Sequence, residues 1–158
     1  MPYAQTIFLN IPVSDLTRSI AFYTSLGFVP NHTFSSDSSI MMSLPVPTHF
    51  ASPHESPIKV MLLEHGFFKS FLPENRTLAN ANDTAQVLLC FSRESKEAVD
   101  DMVKKAAEHG VNVDISVKNE EQKKAEEGIG MYGRNFEDPD GHIVEVVYMP
   151  VEAYEGKE

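Results

Sequence analysis

Tryptophan is absent from this sequence, and cysteine occurs only once. The single cysteine, Cys90, excludes an internal disulfide, and its position in an apolar strand-like run predicts a buried structural thiol. No apolar run reaches the roughly 18 residues of a membrane-spanning helix, so we expect no membrane span. The first residues have neither the basic nor the apolar region of a secretory signal, and we expect a cytoplasmic protein.

Positive charge is also scarce. The chain has 13 Lys and Arg against 23 Asp and Glu, which gives a formal net charge of −10. Such a chain repels phosphates, so we expect neither nucleic acid nor an anionic membrane surface as a partner. Its 158 residues, 42% of them hydrophobic, suit one ordinary soluble domain or two small packed modules.

The chain contains the same succession of elements twice, the second about 79 residues after the first. A strand pattern at 7–13 precedes a capped helical stripe that ends at Gly27. A second strand pattern at 86–91 precedes another stripe that ends at Gly110. Three strand candidates follow each helix, near 28–34, 38–44 and 58–64 in the first half and near 111–117, 129–137 and 142–149 in the second. We therefore predict an α+β fold of two tandem βαβββ modules whose curved sheets surround a cavity.

The predicted boundaries are residues 1–66 for the first module, 67–82 for a connector, 83–150 for the second module and 151–158 for a tail. The connector contains Phe67, Phe68 and Phe71. These are too apolar for a plain linker, so they should pack on a core, a pocket mouth or a second subunit. The proline-rich stretch 45–57 is predicted to be a loop, and 118–127 a solvated loop or short exposed helix.

Glu145 is the first candidate for chemistry. It lies in an apolar strand pattern that follows the turn sequence Asp-Pro-Asp-Gly at 138–141. Alternation along a strand places Glu145 on one face with Ile143 and Val147. A carboxylate between apolar neighbours is costly unless it is paired, protonated or bound to a cation. The plainer interpretation is a glutamate that points to solvent or makes one structural hydrogen bond.

Two motifs resemble the vicinal oxygen chelate superfamily, which includes glyoxalases, bleomycin-resistance proteins and extradiol dioxygenases. The opening segment 9–16, Leu-Asn-Ile-Pro-Val-Ser-Asp-Leu, is followed by Ser19, Phe22-Tyr23 and Leu26-Gly27-Phe28. The closing segment 138–142, Asp-Pro-Asp-Gly-His, is followed by Glu145. The resemblance covers nearly the whole chain and implies the paired βαβββ architecture. It also implies homodimers, which are common in the family.

In metal-using members of that family, four side chains from the first and last strands of both modules hold an ion that polarises the substrate. The matching positions here are Phe8, Met61, Gln86 and Glu145. Only Gln86 and Glu145 can serve as ligands, and a stable divalent site usually needs at least three protein ligands. The resemblance therefore implies either no cofactor or one divalent metal ion in a largely degraded site.

Strand alternation also predicts which side chains line the cavity. The inward positions are mostly apolar with a few polar groups: Phe8, Asn10, Met61, Leu63, Gln86 and Leu88. Tyr132 and Arg134 share one face of a later strand. If that face is inward, Arg134 pairs with Glu145 or with a ligand anion, and otherwise it makes a surface salt bridge. Such a lining suits a small hydrophobic or carbonyl-containing molecule.

Three functions remain open on this basis. The first is lyase or isomerase chemistry on a carbonyl compound, with Glu145 as base or ligand. The second is metal-free binding and sequestration of a drug or metabolite, as in antibiotic-resistance members of the family. The third is a scaffold whose cavity is filled by side chains. The missing ligands argue against a true lactoylglutathione lyase and against an iron dioxygenase.

Overall fold

The computed structural model describes residues 5–44, 52–116 and 118–153. Part of the predicted proline-rich loop, 45–51, lies outside these residues, as does the end of the predicted tail, 154–158. The chain divides into two compact units, Met1–Ala79 and Asn80–Glu158, and each is described by itself. In the described residues, no helix is long and apolar enough to cross a membrane.

The first unit is a βαβββ module, as the sequence predicts. Strand β1 is followed by helix α1 and by strands β2, β3 and β4, in the order Ile7–Val13, Leu16–Ser25, Val29–Ser36, Ser39–Ser43 and Ile58–Glu64. The sheet order is β1-β4-β3-β2. Strands β1 and β4 are parallel, and the other neighbours are antiparallel. A short 3-10 helix, Pro53–Glu55, precedes β4.

The core of the first unit lies where α1 packs against β2 and β4. Asp15 caps the helix by accepting a hydrogen bond from the Arg18 backbone N–H at 2.9 Å. Tyr23 is fully buried and meets the rings of Phe22 and Phe28 edge to face, each at 5.3 Å between centroids. The sheet contributes alternate apolar side chains that are almost fully buried: Ile11, Val13, Ile40, Met42, Val60 and Leu62.

The predicted connector begins with a short helix, α2, which spans His65–Lys69 and contacts β1 and β4. Phe67 and Phe71 stack edge to face at 5.1 Å but stay exposed on this chain. Their exposure does not bear out packing of these two rings on a core, and the alternatives of a pocket mouth or a second subunit stay predictions.

The second unit consists of β5, α3, α4, β6 and β7, which span Leu89–Arg93, Lys96–Glu108, Glu120–Gly128, Tyr132–Glu137 and Ile143–Tyr148. Its sheet order is β5-β7-β6, so β7 is the central strand. Helix α3 begins at the cap residue Ser95 and packs against all three strands. The two sheets and their helices make the fold mixed α+β, as predicted. Helix α4 matches the short exposed helix that was one alternative for 118–127.

In the second unit, one predicted strand is wrong and another begins later than predicted. The described part of the predicted strand at 111–117, residues 111–116, contributes only an isolated bridge, between Val113 and Phe136. Pairing stops there because Asp114 adopts a positive φ of 52°, a left-handed conformation that a strand cannot continue. Strand β5 begins at Leu89 rather than at Gln86, since its partner β7 begins only at Ile143 and leaves the earlier residues without a pairing edge.

Candidate functional site

One face of the first unit's sheet brings together four residues that the sequence predicts for the lining. The register opposes Phe8 to Lys59, Asn10 to Met61 and Pro12 to Leu63. Opposed residues on neighbouring strands point to the same side of a sheet. Phe8, Asn10, Met61 and Leu63 therefore share one face, which we call the Phe8 face.

The Phe8 face is unevenly covered. Phe8 is 54% exposed, and Asn10 is also exposed. Met61 is half-buried, whereas Leu63 is only 3% exposed. An exposed phenylalanine beside an amide and a thioether gives this end of the sheet an apolar surface with one polar group.

A buried lysine lies on the same face, and sequence reasoning did not find it. Lys59 donates hydrogen bonds from Nζ to Ser43 Oγ at 3.1 Å and to the His54 carbonyl oxygen at 2.6 Å. Ser43 Oγ is also 3.0 Å from His54 Nδ1. Burial lowers the pKa of the Lys59 ammonium below its ordinary value. Strand alternation could have placed Lys59 on this face, since it is separated from Met61 and Leu63 by even numbers of residues in β4.

Glu145 lies on the central strand of the second unit. Its opposed residues are Cys90 on β5 and Asn135 on β6. Glu145 is half-buried, and Asn135 is buried. Asn135 Oδ1 accepts a hydrogen bond from the Ser116 backbone N–H at 3.2 Å. Glu145 is thus flanked by a thiol and an amide on one face, which we call the Glu145 face.

The prediction that Cys90 is a buried structural thiol is wrong, because Cys90 is exposed. Its surroundings still desolvate the sulfur enough to raise the pKa of the thiol, and the negative charge of Glu145 raises it further. Lys118 acts in the opposite direction and lowers that pKa. Its Nζ donates to Glu126 at 2.7 Å and to the Gly133 carbonyl oxygen at 3.3 Å.

Tyr132 and Arg134 lie on the opposite face of this sheet from Glu145, because their register partners are Tyr148 and Val146. Arg134 donates to Asp114 through Nε at 3.0 Å and through Nη2 at 2.6 Å. Its Nη1 donates to Asp100, which also accepts from the Tyr132 hydroxyl, at 2.9 and 2.8 Å. The structure thus supports the salt-bridge alternative for Arg134. The alternative in which Arg134 pairs with Glu145 is wrong, because the two side chains lie on opposite faces of the sheet.

The hydrogen bonds of Arg134 lower the pKa of Asp114, and the Tyr132 and Arg134 hydrogen bonds lower that of Asp100. Both carboxylates are therefore charged, and Arg134 donates three hydrogen bonds to them. Tyr132 and Arg134 therefore lie outside the Glu145 face. Gln86 and Leu88 precede β5 and are exposed, so the structure does not bring them onto the Glu145 face as strand residues.

The turn before β7 is held by one carboxylate. Asp138 Oδ1 accepts hydrogen bonds from the backbone N–H groups of Asp140 and His142, both at 2.9 Å. Gly141 closes the turn with a φ of 91°, a conformation that favours glycine. Asn82 Nδ2 donates to the Asp140 carbonyl oxygen at 3.2 Å. This turn fixes where β7 starts, and with it the face on which Glu145 lies.

The donor chemistry at the four family positions is mixed. Phe8 has no ligand atom, and the thioether of Met61 suits soft ions rather than hard divalent ones. Gln86 is exposed ahead of β5, and Glu145 has Cys90 as its opposed neighbour. Within the described residues, no group of three His, Cys, Asp or Glu side chains is arranged to hold a metal ion.

A βαβββ unit followed by a related second unit, with the Asp-Pro-Asp-Gly turn before the last strand, defines a glyoxalase-like class of fold. A model of the Glyoxalase/Bleomycin resistance protein/Dioxygenase superfamily matches residues 6–146. The chain therefore belongs to that superfamily. No relative is found among the curated proteins.

Solved structures give the same fold. The hypothetical protein SA1046 from S. aureus is 24% identical, with 92% of this chain and 95% of that chain covered at a TM-score of 0.64. A family enzyme from Burkholderia phytofirmans PsJN is 18% identical, with 93% and 100% covered at 0.64. TnmS3, an antibiotic binding protein from Streptomyces sp. CB03234, is 17% identical, with 95% and 99% covered at 0.55.

Proposed function

We propose that this protein binds and sequesters a small, partly apolar molecule on the Phe8 face, without a metal ion at the family positions. The observation that carries the proposal is the chemistry of that face. Phe8 and Met61 stand where metal-using relatives are expected to supply ligands, and both lie beside Asn10. These side chains offer an apolar contact surface and one amide, which is the composition of a small-molecule site.

The exposed surface of Phe8 is large enough to matter for affinity. A phenylalanine contributes roughly 200 Å² when fully buried, so covering a residue that is 54% exposed removes on the order of 100 Å² from water. At about 25 cal/mol per Å², this amounts to ~2.5 kcal/mol, or roughly 70-fold in affinity. A ligand that covers Phe8 therefore gains substantial free energy without a metal.

TnmS3 supports this proposal as an example of a small-molecule binding protein with this fold. That protein is an antibiotic binding protein with the same fold, at 17% identity. A fold of this kind can thus hold a small molecule, although the fold alone does not select the molecule.

The test is a screen of small apolar molecules by thermal shift, repeated with excess EDTA. A ligand should raise the melting temperature equally with and without EDTA. Phe8→Ala should then weaken its binding by about tenfold or more. Ile7→Ala is the matched control, because Ile7 precedes Phe8 on β1, is 56% exposed and points to the opposite face. Binding that EDTA abolishes, or equal losses in both variants, would contradict the proposal.

A second candidate function is favoured by the position of Glu145. Half-buried on a central strand, with Cys90 and Asn135 opposed, it could take a proton from a carbonyl compound in a lyase or isomerase reaction. Glu145→Gln would then abolish turnover while the Phe8 face still binds its ligand. Elemental analysis of protein purified without added metal tests a further role, since about one equivalent of a divalent ion that is lost in Glu145→Gln would make Glu145 a metal ligand.

A further inference from the structure

Lys59 is the only basic side chain that is buried among the residues that the structure describes. It is 5% exposed, and its two acceptors, Ser43 Oγ and the His54 carbonyl oxygen, are both neutral. Within the described ranges, no carboxylate forms an ion pair with it. Among the residues that the structure describes, Lys59 is therefore a buried cation without a carboxylate partner.

A buried ammonium is costly unless an anion and enough hydrogen bonds compensate it. An ammonium has three N–H donors, and the described residues accept two of them. A neutral donor such as glutamine could hold the same two oxygens without the desolvation of a charge. The positive charge itself is thus unused by the described chain.

We propose that the ligand of the Phe8 face carries an anionic group, such as a carboxylate or phenolate, that binds Lys59 as its counter-ion. This inference rests on the proposed binding function. Lys59 is the register partner of Phe8 and lies two residues before Met61, roughly 7 Å along the strand. An apolar body over Phe8 and Met61 can therefore extend its anionic end toward Lys59. The ligand class is a small apolar acid.

The net charge of the chain makes a preference for acids a specific test of Lys59. At −10, the protein as a whole repels anions, so a preference for an acid over a matched neutral molecule has to come from a local cation. A charge-assisted hydrogen bond away from water is stronger than a neutral one, and it should favour the acid by about tenfold or more.

The experiment compares 1-naphthylacetate with its neutral analogue 1-naphthylacetamide. The chain has no tryptophan, so naphthalene fluorescence can be followed without an indole background. Anisotropy titrations near neutral pH should show the acid binding about tenfold tighter or more. Equal affinities would overturn this inference and leave the binding function in place. Absence of binding by both probes would overturn both.

Variants then assign the preference to one side chain. Lys59→Met should reduce the acid-to-amide ratio to about one while the amide still binds, a result that loss of a purely structural contact would not produce. Lys59→Gln keeps a donor for Ser43 and His54, and it serves the same purpose where the methionine variant does not fold. Lys69→Met, which removes the same charge from an exposed position of α2, is the control and should keep the wild-type ratio. An unchanged ratio in a folded Lys59 variant would refute the assignment.

Discussion

Replacing Gly141 by alanine tests how tightly the turn before β7 is built. The backbone at Gly141 has a φ of 91°, so any side chain there is strained. An alanine Cβ would also lie 2.6 Å from Asn82 Oδ1, 2.8 Å from its Cγ and 2.9 Å from its backbone nitrogen. Both strain and overlap should therefore destabilise the Gly141→Ala variant.

Gly110 separates these two effects. It also has a positive φ, of 75°, but a Cβ there would have no neighbour within 4 Å. Left-handed backbone costs an alanine about 1–2 kcal/mol, partly offset because alanine reduces the freedom of the unfolded chain. Gly110→Ala should thus lower the free energy of unfolding by about 1 kcal/mol. Overlap at Gly141 adds on the order of 2 kcal/mol, which makes about 3 kcal/mol.

Urea denaturation of both variants measures this difference, and thermal unfolding should show the larger fall for Gly141→Ala. Asn82→Ala in the Gly141→Ala background should recover part of the loss, because two of the three overlapping atoms are removed. A double-mutant cycle gives that coupling. Equal losses for Gly141→Ala and Gly110→Ala would refute the reasoning, since strain alone would then explain both.

Two further predictions concern the second unit. Glu145→Gln should speed the reaction of Cys90 with a disulfide reagent such as DTNB severalfold near neutral pH, because the charge of Glu145 raises the pKa of the thiol. Glu137→Gln, on the same face of the sheet, is the control. An unchanged or slower rate in folded Glu145→Gln would contradict the effect of the Glu145 charge on Cys90. Arg134→Met should lower the free energy of unfolding by about 1 kcal/mol near neutral pH, a modest value since Asp114 is half exposed. Arg134 lowers the pKa of Asp114 below 3.8, so this stabilisation is present above pH 3.8 and is lost as the pH falls further. An Arg134→Met variant as stable as wild type near neutral pH would refute this prediction.

The elements that local signals specify were predictable from the sequence. The capped helix α1 and the strands of the first unit match their predicted positions closely. There, Asp15, the apolar stripe of the helix and the turn residues all indicate the same structure. The predicted strand at 111–117 failed because Asp114 turns out of the extended conformation. No pattern in that segment reveals such a turn.

The faces of the first sheet were also predictable, because alternation needs only the strand boundaries. The buried position of Lys59 was not, since it depends on the 3-10 helix Pro53–Glu55 presenting the His54 carbonyl oxygen to Nζ. Alternation alone leaves a lysine at the end of a strand exposed by default. Cys90 was misjudged for the opposite reason, because an apolar run does not reveal which face of an edge strand is covered.

The chemistry of the Phe8 face also bears on the choice between metal and metal-free binding. Two of its positions, Phe8 and Met61, supply no hard ligand, and Lys59 adds a positive charge to the same side of the sheet. Two like unit charges 4 Å apart repel by about 4 kcal/mol at an effective dielectric constant of 20, and a divalent ion doubles that repulsion. The charge that disfavours a divalent cation on this face favours an anionic ligand there. The absence of hard ligands at Phe8 and Met61 and the charge of Lys59 therefore both support the proposal that this face recognises an acid.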